Sequence, residues 1–358
     1  MKRTMSDLII TENLNVLELV PLVTPAELKR ECPASLDILK TVIDARAVIR
    51  RILSGEDQRL MVIVGPCSIH DPVAAIDYAR RLKALSDEVA ETLFVIMRVY
   101  FEKPRTTVGW KGLIYDPRMD GSADMACGLR TARQLLLNIN ALGLPAGTEM
   151  LDPIVPQYIA DLVAWTAIGA RTSESQTHRQ MASGLSMPVG FKNRTDGDVQ
   201  VAVDAIQAAR NPQSFLGIDG DGRTVIVRTA GNPGGHMILR GARNKTNFDS
   251  QSVSLAADRM QASGLRPSIL VDCSHGNANK RFDKQELAWN AVLEQRRQGS
   301  QTLIGMLLES HLSEGNQKIF ANSSALHYGI SVTDECVGWE ATERMLRHAA
   351  GVMRSEMG

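Results

Sequence analysis

What this chain lacks narrows it first. It has no excess charge of either sign: 40 basic residues balance 40 acidic ones over 358 positions. A neutral chain exerts no general pull on nucleic acid or on an anionic membrane, so neither is expected as a partner. Any basic cluster that does occur is then local and aimed at a small anion. A disulfide framework is missing too, since Cys32, Cys67, Cys127, Cys273 and Cys336 are odd in number and irregularly spaced. Free thiols in a reducing cytoplasm fit that usage. No apolar run reaches membrane-spanning length, and the opening MKRTMSDLIITENLNVLELV has no apolar signal segment, so a soluble cytoplasmic protein is expected.

What is present is organised around Leu60–Asp71, LMVIVGPCSIHD. Its apolar run closed by Gly65-Pro66 reads as a strand buried on both faces, with Cys67 just beyond its carboxyl end. A lone cysteine there is ordinarily a small buried thiol. The rest of the chain, however, repeats the pattern seven times. Further strands are expected at Leu93–Tyr100, Pro145–Glu149, Ala167–Arg171, Val189–Lys192, His236–Arg240, Ser268–Asp272 and Thr302–Leu308, each followed by a helical pattern. Eight alternating strand–helix units argue a (β/α)8 TIM barrel. The competing open sheet would show a Gly-rich phosphate turn after its first strand, and GPCSIH is not one.

Two pieces fall outside the repeat. Residues 1–54 form an N-terminal arm broken by Pro21, Pro25 and Pro33, then an amphipathic helix over residues 36–54. The arm cannot bury itself and must dock on its own barrel or on another subunit. Residues 55–358 are the barrel, interrupted before strand six by a β-hairpin at 215–230 around Asp219-Gly-Asp-Gly222.

The strand ends carry Cys67, Arg98, Glu149, Arg171, Lys192, Arg240, Asp272 with His275, and Glu309. In a barrel these meet at one mouth. Arg98, Arg171, Lys192 and Arg240 would repel one another unless an anion joins them, so a small substrate with phosphate and carboxylate is implied; four separate salt bridges are the plain alternative. Cys67, His275, Glu309 and Asp334 combine thiolate, imidazole and carboxylate, which suits one divalent ion such as Mn, Fe, Co or Zn rather than Mg. His70, His178 and His311 are rival imidazoles, and His275 could equally cap a turn at Gly276-Asn277. The long loop 101–121 holds Lys103-Pro-Arg105-Thr106, an anion cradle or an ordinary polar loop.

Assembled, these stretches resemble the type I 3-deoxy-D-arabino-heptulosonate-7-phosphate (DAHP) synthases, the feedback-regulated group that opens the shikimate pathway. The resemblance runs through VGPCSIHDP, KPRTTVGWKGL, GARTSESQTHR, PVGFKN, GNPGGHMILRG, VDCSHGN, GMLLESHLSEGNQ and SVTDECVGWE. It implies condensation of phosphoenolpyruvate with erythrose 4-phosphate to give DAHP and phosphate. It also implies Cys67, His275, Glu309 and Asp334 as ligands of one divalent metal per subunit. Arg98, Arg171, Lys192 and Arg240 would hold phosphoenolpyruvate; Arg105 and Thr106 would hold the phosphate of erythrose 4-phosphate, with Lys103 near the aldehyde. Glu149 is expected to position the attacking water. The arm and hairpin would build the contacts of a homodimer or homotetramer and a site for an aromatic amino acid. Met150, Pro153 and Ser186 fall in stretches resembling that site, and Leu151-Asp152-Pro153 favours tyrosine. A barrel condensing phosphoenolpyruvate with another phosphorylated aldose, and a non-catalytic metabolite-sensing barrel, are the alternatives.

Overall fold

The computed structural model describes residues 11–319 and 325–357; the apolar piece Leu8–Ile10 of the expected arm lies outside them. Two helices precede the first strand. α1 (Pro25–Glu31) starts with a capping box, in which the Thr24 hydroxyl receives the Glu27 amide and the Glu27 carboxylate receives the Thr24 amide. α2 (Leu36–Ser54) is capped by Ser35 and stopped by left-handed Gly55.

β1 (Leu60–Gly65) is buried at every position, as a strand covered on both faces must be. After it come β2 (Leu93–Arg98), β3 (Ala146–Glu149), β4 (Trp165–Ile168) and β5 (Val189–Lys192). A separate antiparallel hairpin, β6 (Ser214–Ile218) and β7 (Thr224–Arg228), then intervenes. β8 (Gly235–Leu239), β9 (Ile269–Asp272) and β10 (Leu303–Glu309) complete the set. The eight strands other than the hairpin pair in parallel, and β1 joins both β2 and β10 to close the barrel. The (β/α)8 barrel expected from the sequence is the fold.

Helices α3 (Pro72–Glu88), α4 (Met125–Ala141), α5 (Val155–Ile159), α6 (Gln176–Gly184), α7 (Gln200–Arg210), α8 (Ser250–Ala262), α9 (Gln285–Arg297) and α10 (Trp339–Met357) follow the barrel strands in turn. Asp71 caps α3 by receiving the amides of Val73 and Ala74, with Pro72 in the first turn. One expected unit is displaced. The expected strand Ala167–Arg171 starts earlier, because α5 passes into a 3-10 turn at Ala160–Leu162 and the chain is extended from Trp165. Trp165 thus opens β4, and Arg171 lies three residues beyond that strand. The four residues WTAI are fully buried, and so short an apolar run has no period to separate strand from helix.

Two apolar layers hold the fold. One lies between the strands and the outer helices. The other fills the barrel interior with Met61, Ile63, Ile96, Trp165, Ile238 and Leu307, and it includes Ala45, Ile49 and Ile52 of α2. The second helix is therefore a plug in the amino-terminal end of the barrel, which leaves only the carboxyl-terminal mouth for chemistry. Ile49 is fully buried in that plug. Ile49→Ala is expected to lower unfolding free energy by about 2–5 kcal/mol, read by urea denaturation. An unchanged midpoint would mean that α2 only rests on the barrel.

Candidate active site at the barrel mouth

The carboxyl ends of the strands deliver their side chains to one opening, but not as four equivalent cations. Arg98, the last residue of β2, is 1% exposed. Its Nη2 donates to Glu309 Oε1 at 2.8 Å and to the Cys67 carbonyl at 3.1 Å, and its Nε donates to the Pro66 carbonyl. The guanidinium also lies 3.4 Å from the centre of the Tyr100 ring. β1 can press this close because Gly65 has no side chain: a Cβ there would come 2.6 Å from the Arg98 carbonyl oxygen. Lys192, the last residue of β5, is buried with Nζ 2.9 Å from Asp272 Oδ2.

The other two cations differ. Arg240 and exposed Arg171 pair with no carboxylate among the described residues; Arg171 Nη1 instead donates to the Pro104 carbonyl at 3.4 Å. Burial, aided by the Arg171 charge, pulls Arg240 below its ordinary value. The alternative of four separate salt bridges thus describes half of the set. Two donors, Arg98 Nη1 and Arg240 Nε, are buried with no hydrogen-bond partner.

Beside these cations lies a ligand cluster. One donor atom from each of Cys67, Glu309 and Asp334 lies within 4.8 Å of the others. Glu309 Oε2 is buried and unpartnered. A thiol with two carboxylates, one oxygen left bare in a dry site, fits a divalent cation of borderline softness. His275, three residues past β9, stands next to this set with Nε2 3.8 Å from Glu309 Oε1. Its other nitrogen, Nδ1, lies 2.9 Å from Asp272 Oδ2 and 2.7 Å from Ser274 Oγ. Burial alone would raise the Asp272 carboxyl, but His275 and Lys192 hold it well below the usual range. Burial pushes the Cys67 thiol up, reinforced by Glu309 and opposed by Lys103.

The long loop enters through Lys103, whose Nζ lies 3.2 Å from Cys67 Sγ and 3.1 Å from the Cys67 carbonyl. Arg105 Nε donates to the Trp110 carbonyl at 2.7 Å, which folds the KPRT turn on itself. An inner pocket of about 110 Å³ brings together Lys103, Arg105, Glu149, Arg171, Lys192 and Arg240. Glu149 is 6% exposed, with Oε1 unpartnered. Gly169 leaves it room, since a Cβ there would lie 2.5 Å from that oxygen. Above the pocket opens an outer cavity of about 740 Å³ lined in part by Thr106, Arg171, Arg240 and His275.

Sequence reasoning missed Lys280, which lines both spaces and reaches Asp334 Oδ1 at 3.6 Å. Asn279 and Lys280 both have positive φ, 50° and 62°, and the Gly276-Asn277 turn was the one signal of a loop able to carry it. Arg243, on the outer cavity, was missed because it follows a strand rather than ending one. The rival imidazoles sit elsewhere. His178 binds the Ser175 hydroxyl and the Leu151 carbonyl. Buried His70 and His311 lie edge to face, 6.1 Å apart, and burial lowers His311 to about 3.

Of the expected effector residues, Met150 is buried in the outer core while Pro153 and Ser186 are exposed. The His178–Leu151 bond links α6 to the first stretch, and α6 itself runs into the second. Ser183 near its end meets Thr229, just past β7, at 2.7 Å.

A sequence profile of the DAHP synthetase I family matches residues 33–347. The chain belongs to the DAHP synthetase I family. Membership makes it an enzyme of DAHP synthesis, the first step of aromatic amino-acid biosynthesis. It is 51% identical over 335 residues to the Tyr-sensitive phospho-2-dehydro-3-deoxyheptonate aldolase of Escherichia coli K12, covering 94% of each chain. To the Phe-sensitive enzyme of the same organism it is 50% identical over 347 residues, covering 97% of this chain and 99% of that one. The solved phospho-2-dehydro-3-deoxyheptonate aldolase of Francisella tularensis SCHU S4 superposes with a TM-score of 0.92 at 45% identity, over 95% of this chain and 99% of the other.

The unequal pairing of this family member's cations has a measurable consequence. Arg98→Ala strands the buried Glu309 and is expected to destabilise the protein by about 3–5 kcal/mol. Arg171→Ala, at an exposed position, should stay within about 0.5 kcal/mol of the parent. Chemical denaturation of both variants in chelator-treated buffer makes the comparison, and equal losses would contradict it.

Proposed function

We propose that this chain condenses phosphoenolpyruvate with D-erythrose 4-phosphate through the residues just described. The observation that carries the reading is the pair of unfilled buried guanidinium nitrogens, on Arg98 and Arg240, beside a carboxylate cluster with an unfilled oxygen. A mouth so arranged asks for an anion and a cation together. Arg98, Arg171, Lys192 and Arg240 hold the phosphate and carboxylate of phosphoenolpyruvate and stabilise charge developing on it without reorganising. Arg105 and Thr106 hold the sugar phosphate, and Lys103 stands beside the aldehyde.

C3 of phosphoenolpyruvate forms the new bond to the aldehyde carbon. The aldehyde oxygen takes up one proton as that bond forms. Water held by Glu149 adds at C2 and releases one proton. The C2–O bond to phosphate then breaks as the new hydroxyl becomes the C2 carbonyl and its proton leaves with the phosphate. One water is consumed, and DAHP and inorganic phosphate leave. Cys67, Glu309, Asp334 and the adjacent His275 would hold one divalent ion, Mn, Fe, Co or Zn. Such an ion supplies Lewis-acid polarisation of the aldehyde carbonyl when bound.

Regulation is read as separate from the mouth. Residues 1–54 and the hairpin serve as subunit contact and effector region of a homodimer or homotetramer. Exposed Leu17, Leu19 and Val20 on the arm and Leu216 and Ile226 on the hairpin support this, because such side chains are normally covered. The arm and hairpin tip also touch, the Ala26 amide donating to the Gly220 carbonyl at 2.8 Å. An aromatic amino acid is the inhibitor, with tyrosine favoured by Leu151-Asp152-Pro153. The five free cysteines support a reducing, cytoplasmic setting.

Two experiments test these assignments. Phosphate release from the two substrates should collapse with chelator and return with Mn2+, and Cys67→Ser should keep the parent's fold while losing at least about 100-fold in turnover. Undiminished turnover after complete metal removal would take the ion out of the reading. Titration with tyrosine, phenylalanine and tryptophan separately should give strongest inhibition by tyrosine; indifference to all three would remove the effector site.

A further inference from the structure

The ligand cluster and the anion cage share one side chain that neither role requires. Asp272, at the end of β9, is fully buried. Its Oδ2 lies 2.9 Å from Lys192 Nζ and 2.9 Å from His275 Nδ1. Its Oδ1 receives both the Ser274 amide at 3.0 Å and the Ser274 hydroxyl at 2.6 Å. The serine proton is therefore committed to Asp272, so Ser274 Oγ can only accept from His275. With acceptors alone around it, Nδ1 must carry the imidazole proton, and Nε2 turns a bare lone pair toward Glu309 and the cluster.

We infer that Asp272 is a positioning residue that couples the cation site to the anion site, so that a divalent ion and phosphoenolpyruvate bind cooperatively. The inference rests on the assignment of the two sites proposed above. One carboxylate oxygen lies at ion-pair distance from both Lys192 Nζ and His275 Nδ1, without an aligned hydrogen bond to either, so the two compete for a single charge. An anion that draws the charge of Lys192 toward itself leaves that oxygen more fully to His275, and a carboxylate behind the imidazole is what orients a ligating histidine. A cation held through His275 in turn weakens the claim of Asp272 on Lys192 and frees the ammonium for the anion. Coupling of this kind is reciprocal by thermodynamic necessity.

The test titrates the full-length protein with Mn2+ by calorimetry, with and without saturating phosphoenolpyruvate. In the parent protein phosphoenolpyruvate should tighten Mn2+ by about fivefold or more, and Mn2+ should tighten phosphoenolpyruvate by the same factor. Asp272→Asn, of the same shape but uncharged, should lose about 10–100-fold in Mn2+ affinity without the anion and bring the mutual tightening below about twofold. A purely structural role would move the melting temperature and leave the tightening intact. Absence of tightening in the parent, or full tightening in Asp272→Asn, overturns the inference, the second outcome assigning the coupling to direct attraction between ion and anion. Should Asp272→Asn fail to fold, Lys192→Gln decides: tightening must vanish there, and its persistence overturns the inference equally. A parent protein that binds no Mn2+ at all instead refutes the ligand assignment beneath it.

Discussion

The mouth answers to one constraint: four positive side chains converge at or just past the strand ends, Arg98 and Lys192 buried and Arg171 exposed. Two unit charges about 4 Å apart interact by about 4 kcal/mol even at an effective dielectric of 20, so such a set cannot persist without counter-charge. The protein offsets half of it internally. The two deepest cations, Arg98 and Lys192, each have a buried carboxylate, Glu309 and Asp272. Arg171 and Arg240, nearer the solvent, have none among the described residues and line both cavities. Charge is thus balanced at the floor and left open at the rim, which is where a dianion can enter.

The counter-charges also do a second job. Glu309 is the partner of Arg98 and a member of the ligand cluster; Asp272 is the partner of Lys192 and the neighbour of His275. Cage and cluster are therefore one network, with the floor beneath it fixed by Tyr100, Ile96 and Leu307 and by the plug from α2. Rigidity of that floor matters because preorganised charge stabilises a reaction only if it need not move. Short strands seated on a close-packed interior hold these side chains better than a loop would, and the long loop that contributes Lys103 is tied to Cys67 by two contacts.

The strand count was legible because a strand buried on both faces writes itself as an apolar run with an abrupt end, at Gly65-Pro66 after LMVIV and at Glu309 after LIGMLL. β4 escaped that rule. WTAI is too short to declare a period, and its polar end was sought at Arg171, which lies beyond the strand. Pairing was not legible at all. Nothing local connects Arg98 with Glu309, 211 residues away, because barrel closure between β1 and its two neighbours creates that contact. Lys280 was invisible for another reason: its reach depends on two successive left-handed residues, a backbone choice that residue type alone does not dictate.

A barrel that merely sensed a phosphorylated metabolite would need the cage and nothing more. The carboxylates argue against so simple a device. A buried polar atom without a partner costs about 1–3 kcal/mol, and more when charged. Glu309 Oε2, in the ligand cluster, and Glu149 Oε1, in the inner pocket, both bear that cost. An anion cannot relieve it, since like charge would only add to the penalty. A cation would relieve it at Glu309 and a proton donor such as water at Glu149, and those are the two things that carbonyl polarisation and hydration of C2 require in the proposed reaction. The unfilled acceptors therefore separate a condensing enzyme from a receptor, on grounds independent of any relative.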